Sequence, residues 1–211
     1  EAVYYLHLKK KEPNVYLKVY PRHFFKKENI DLFPLSVMSN KTIVGCKESD
    51  SISVYKSDRY GFNNPDKEWD NNFIDFLLLG DSFVHGNCVN ENYSISGNLR
   101  KLLNKNKEIN STKGVLNIGQ PASGPLIQLA ILKEYYMKRK VIKNLIWIYY
   151  EQNDFYNLSE EIKNPILKKY LLDSNYSQNL INKNLYKDEL VTEFHNEITE
   201  DIEEFVRINL D

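Results

Sequence analysis

In Phe73-Ile74-Asp75-Phe76-Leu77-Leu78-Leu79-Gly80-Asp81-Ser82, an apolar run stops abruptly on a glycine and two small polar residues. Short, almost unbroken apolar runs are the pattern of strands covered on both faces. Two more follow: Val115-Leu116-Asn117-Ile118, ending at Gly119, and Leu145-Ile146-Trp147-Ile148-Tyr149-Tyr150, ending in Glu151-Gln152-Asn153-Asp154. Helical spacing fills the intervals, through Ile95, Leu99, Leu102 and Leu103 in the first and Leu126, Leu129, Ile131, Leu132 and Tyr135 in the second. Alternating strand and helix implies parallel strands joined by right-handed crossovers. The expected core is therefore α/β: a three-layer α/β/α sandwich around a parallel sheet.

Away from this core the pattern weakens. Residues 1–70 are irregular and rich in Tyr, Asn, Asp and Pro. Val15 to Tyr20 and Ser51 to Tyr55 alternate partially, as half-exposed strands do. Asp58-Arg59-Tyr60-Gly61-Phe62-Asn63-Asn64-Pro65 reads as a loop. Tyr60, Phe62 and Trp69 are expected to pack against the sheet, with a lid over its carboxyl end as the alternative. Residues 1–70 are thus an N-terminal extension, and 71–211 the α/β domain. Beyond Asn157 the chain is helical and polar, with one stripe at Ile166, Leu167, Tyr170 and Leu171 and another at Phe194, Ile198, Ile202 and Phe205. These helices are expected on the sheet or on further sequence.

Composition excludes several classes. With 42% hydrophobic residues and 15 tyrosines, the 211-residue chain has material for a packed core. A net charge of −1 gives no support to nucleic-acid or membrane-surface binding. Lys9-Lys10-Lys11 and Lys26-Lys27 are read as solvated loops. No apolar run reaches the roughly 18–20 residues of a membrane span. No Cys/His ligand spacing occurs, so neither a metal nor a cofactor is expected. Cys46 and Cys88 are either two buried thiols or a disulfide. The disulfide would tie the N-terminal segment to the loop after Ser82. It would also favour an oxidising compartment, extracytoplasmic or membrane-associated.

Open parallel sheets bind ligands at the carboxyl ends of their strands. Three polar clusters fall there: Gly80-Asp81-Ser82, Asn117 through Gly124, and Asn153-Asp154. Ser82 suits a nucleophile whose own N–H faces a pocket, or else an ordinary helix cap. The Gly119–Pro125 loop offers backbone amides to an oxyanion, or is a plain turn with Pro125 starting a helix. Asn153 is an amide donor or a cap. No GxGxxG or GxxxxGK[ST] loop follows any strand, which disfavours a nucleotide-binding domain.

Together, Gly80-Asp81-Ser82-Phe83, Asn117-Ile118-Gly119 through Gly124-Pro125, and Asn153-Asp154 resemble the first three conserved blocks of the SGNH (GDSL-like) hydrolases. The strings Asp58 to Asn64, His85-Gly86-Asn87-Cys88-Val89 and Leu132-Lys133-Glu134-Tyr135 resemble a bacterial branch of that superfamily. The resemblance covers roughly Phe33 to Leu180. It implies a flavodoxin-like sandwich and a serine esterase or O-acyltransferase acting on an acylated glycan or lipid-type small substrate. Ser82 is then the nucleophile. The oxyanion hole is the Ser82 N–H, one amide of the second block and the Asn153 side chain. The family's glycine falls at Ala122, with Gly124 two residues later, and both remain candidates. Asp81 bonds neighbouring amides, and Asp81, His85 and Asp154 are placed beside the substrate.

The family draws its base from an Asp-x-x-His motif. Of His7, His23, His85 and His195, none has Asp three residues before it. His195 lies in a polar helical stretch and is expected to be exposed. His85 follows Ser82 by one helical turn, too close in sequence to point back at it. The motif is therefore expected beyond Asp211, with one or two strands of the sheet, and the 211-residue chain is expected to be nearly inactive. The alternative is a non-catalytic SGNH-like glycan-binding module in envelope assembly. Nothing in the sequence indicates an oligomeric state.

Overall fold

The computed structural model describes residues 2–47, 52–105, 114–136 and 141–210. The N-terminal stretch holds α1 (Ala2–Lys11), β1 (Val15–Leu17), β2 (Thr42–Lys47) and β3 (Ile52–Lys56). Then come β4 (Phe73–Gly80), α2 (Ser82–His85), α3 (Ile95–Lys105), β5 (Gly114–Asn117), α4 (Pro125–Tyr135) and β6 (Val141–Ile148). The helices α5 (Asp154–Glu161), α6 (Pro165–Leu172) and α7 (Asn184–Leu210) follow.

The three apolar runs form one parallel sheet in the order β5-β4-β6, with Leu78 opposite both Asn117 and Ile146. Side chains alternate across it. Leu77, Leu79 and Leu116 share a cluster with Leu126, Ile127, Ala130 and Ile131 of α4. Phe76, Leu78 and Val115 join Leu99 and Leu103 of α3 in another cluster. Helices thus cover both faces of a mixed α/β core.

The third run departs from expectation. Leu145, Ile146 and Trp147 are exposed, Trp147 at 54%. β6 pairs only with β4, and no strand lies along its outer edge among the described residues.

A second small sheet runs β1-β2-β3, with β1 parallel and β3 antiparallel to β2. The two partly alternating runs are its outer strands, although Ser51 lies outside the described residues. Lys9, Lys10 and Lys11 are not loop residues but the last turn of α1, where cations suit the exposed carbonyls. Lys26 ends a 3₁₀ turn, and Lys27 pairs with Glu197 at 2.5 Å. The N-terminal residues Phe24, Phe33, Met38 and Phe62 belong to the same apolar cluster as Ile74 and Leu77. Trp69 stacks edge-on to Tyr60 at 4.8 Å, and Phe62 meets Tyr135 at 4.9 Å, so these rings are packing and not a lid.

α7 packs largely against the N-terminal stretch. The Ser39 N–H donates to Asp188 at 3.0 Å, and Lys187 donates to the Val37 carbonyl at 2.7 Å. His195 is buried, contrary to its polar surroundings in sequence. Its Nε2 lies 3.1 Å from the Tyr5 hydroxyl and accepts the Leu17 N–H at 3.1 Å. The partners that bury it come from the opposite end of the chain, which no local pattern reports. Cys46 and Cys88 are disulfide-bonded, joining β2 to the segment after α2. No helix among the described residues is long and apolar enough to cross a membrane.

Candidate active site

The end of β4 turns sharply into α2. A Cβ on Gly80 would lie 2.6 Å from both the Ile148 carbonyl and Val84, so only glycine fits the approach. Asp81 caps α2, its Oδ1 accepting the Phe83 N–H at 2.9 Å. Ser82 follows, partly exposed, and its hydroxyl has no hydrogen-bond partner among the described residues.

The second block is tied to the first. Asn117 donates through Nδ2 to the Val84 carbonyl at 2.7 Å and accepts the Gly119 N–H at 2.9 Å. The Asp58–Asn64 loop holds both blocks. Asp58 accepts from the Tyr60 and Phe62 N–H groups, Asn64 Nδ2 and Trp69 Nε1, all at 2.7–2.9 Å. Asn64, fixed by that carboxylate, pairs with the Asn117 N–H and carbonyl at 2.8 Å each. Asn63 donates to the His85 carbonyl at 3.0 Å.

The two candidate amides of the second block differ. The Gly124 N–H donates to Glu161, which also accepts Leu126 N–H at 2.9 Å and Ile127 N–H at 3.2 Å. A Cβ on Gly124 would lie 2.7 Å from Asn157 Cβ, which keeps this loop tight on α5. The Ala122 N–H has no acceptor among the described residues. Ala122 has φ +55°, a left-handed conformation that costs a non-glycine residue about 1 kcal/mol. Ala122→Gly is therefore expected to stabilise the fold by up to about 1 kcal/mol, read as a higher urea midpoint. A lower midpoint would show that the turn does not strain Ala122.

At the end of β6, Asp154 accepts the Tyr150 N–H at 2.9 Å and closes the turn into α5. Asn153 occupies the cap position without making a capping bond, and its buried Oδ1 has no partner among the described residues. Asp81 Oδ2, Gln120 Oε1 and Asp154 Oδ1 are likewise buried and without a partner among the described residues. Such atoms are rare in folded proteins. Here four of them come from the segments that follow β4, β5 and β6. Burial pushes the Asp154 carboxyl up from its ordinary range, and nearby Asp81 adds to this, against the Tyr150 bond.

Comparisons of the chain with protein-family models, curated proteins and solved structures gave no match.

Of the residues expected beside the substrate, Asp81, His85 and Asp154 are all buried. His85 Nδ1 lies 3.0 Å from Lys18 Nζ, and its ring stands edge-on to Tyr55 at 5.2 Å. Lys18 also donates to Asn87 at 2.7 Å. No histidine hydrogen-bonds Ser82 among the described residues. His85, through burial and then Lys18, and His195, chiefly through burial, are both held below the ordinary imidazole pKa. The folded protein therefore takes up protons on both at lower pH than the unfolded chain, which protonates them below about pH 6.5. Their contribution is full above that pH and is lost as pH falls below it. The urea midpoint should drop between pH 7.5 and 5.5, with a smaller drop in His85→Gln; equal drops in parent and variant would clear His85 of the effect. Lys18 and Glu161 carried no sequence signal, because each takes its role from a segment far along the chain.

Proposed function

We propose that this chain carries the nucleophile and oxyanion-binding half of an SGNH-type serine esterase or O-acyltransferase, on a flavodoxin-like sandwich. One observation carries the reading. Among the described residues the Ser82 hydroxyl, the Ala122 N–H and the Asn153 side-chain amide all lack protein partners, and they follow three adjacent parallel strands. Groups left unengaged in this way suit a ligand that completes their hydrogen bonds.

The chemistry runs as an acyl transfer. Ser82 Oγ attacks the ester carbonyl carbon while its proton passes to a base. The carbonyl oxygen takes up negative charge and receives hydrogen bonds from the Ser82 N–H, the Ala122 N–H and Asn153. Collapse of the tetrahedral adduct breaks the ester bond, and the alcohol leaves with the proton. Water or a sugar hydroxyl then takes the acyl group from Ser82. Without a base the neutral hydroxyl is a weak nucleophile. No histidine hydrogen-bonds Ser82 among the described residues, so the proposed chemistry needs a base brought to the serine. The edge of β6, unpaired among the described residues and with Leu145 and Trp147 exposed, offers a strand that would bring it a place to pair. The disulfide supports an oxidising compartment.

The lack of a base beside Ser82 also favours a second reading, a glycan-binding module without catalysis. An O-acetylated glycan with imidazole as external base separates the two. Acetate release that Ser82→Ala abolishes supports the enzyme. Glycan binding with no Ser82-dependent release supports the module.

A further inference from the structure

A cleft of about 1090 Å³ opens beside Ala122. One wall is the Pro21–Lys26 turn with the residues up to Ile30, and the other is the junction between α5 and α6. Three rings line it in series: Tyr20 and His23 have centroids 5.2 Å apart, and His23 and Phe194 5.7 Å apart. Its charges are unbalanced. Lys27 is paired with Glu197, and Lys163 with Glu160 at 2.6 Å. Arg22, 6.0 Å over the Tyr156 ring, and Lys26 have no carboxylate partner among the described residues. Against these two cations the lining offers only Glu28 as an unpaired carboxylate.

We propose that this cleft binds an anionic saccharide. Aromatic rings in series suit the apolar faces of sugar rings. Arg22 and Lys26 suit a uronate carboxylate, Arg22 through a bidentate pair. The volume exceeds what a single small ligand needs and fits an oligosaccharide. Ala122 lies in the wall, so the cleft would lead that saccharide toward one of the oxyanion donors. This last point rests on the esterase reading; the charge and ring arguments do not.

The test is calorimetric titration of the 211-residue chain with oligogalacturonate and with a neutral malto-oligosaccharide of equal length. The expected result is at least about tenfold tighter binding of the anionic sugar, weakened by salt as partly exposed charges are screened. Arg22→Ala/Lys26→Ala should remove that preference. Both residues are exposed, so the double variant keeps the fold, as circular dichroism would verify. Equal affinity for the two sugars, binding of neither, or a preference that survives the double variant would overturn the proposal. Ser82→Ala should bind as the parent does. Absence of any Ser82-dependent acetate release from the parent chain would therefore count against the esterase reading and leave the sugar preference standing.

Discussion

Reduction of the Cys46–Cys88 bond is expected to destabilise the fold by about 4 kcal/mol, from the entropy of closing a loop between residues 42 apart. For a chain of this size that is a fall in Tm of roughly 10 °C. The bond joins β2 to the segment after α2 and so links the two sheets covalently. Hydrogen bonds hold the same junction: Ser53 donates to the Asn87 carbonyl at 3.0 Å, and Lys18 to the Asn87 side chain. These survive reduction, so the effect falls mainly on the unfolded state, which gains freedom. Cys46→Ala/Cys88→Ala should reproduce the loss and make it insensitive to reductant. An unchanged Tm under reducing conditions would show that the hydrogen bonds alone set this junction.

Asn153→Ala is expected to lower Ser82-dependent acetate release by about 10²–10³-fold, the usual effect of removing one oxyanion donor. Stability should change by less than about 0.5 kcal/mol, because the side chain makes no hydrogen bond among the described residues. Asp154→Ala makes the contrast. It breaks the bond to the Tyr150 N–H, and should cost stability by about 1–2 kcal/mol. A rate loss without a stability loss marks a group that acts on substrate. If Asn153→Ala keeps its full rate, the oxyanion role of Asn153 fails.

The core of the fold was legible because β4, β5 and α4 are locally consistent. Apolar runs, glycine stops and Pro125 at a helix start agree with one another. β6 carried the same apolar signal, but burial depends on a neighbouring strand, and the run itself cannot report one. α1 was not legible, since its apolar residues show little helical periodicity and only Tyr5 among its described side chains is fully buried. His195 misled for a related reason: α7 looks polar, and its buried face is completed by Tyr5, Tyr16 and Leu17. At the candidate site, Ser82 and Asn153 stood out through their positions after apolar runs. The choice between Ala122 and Gly124 could not be made from sequence. It turns on Glu161, 37 residues beyond Gly124, which occupies one amide and leaves the other. The cleft was invisible because its two walls lie more than a hundred residues apart in sequence.

The central claim is that Ser82 is an acyl-accepting nucleophile waiting for a base. Fluorophosphonate labelling of the 211-residue chain, followed by peptide mapping, tests it most directly. The expected result is slow modification confined to Ser82, accelerated by imidazole and lost in Ser82→Ala. Modification elsewhere, no modification at all, or fast labelling without imidazole would contradict it.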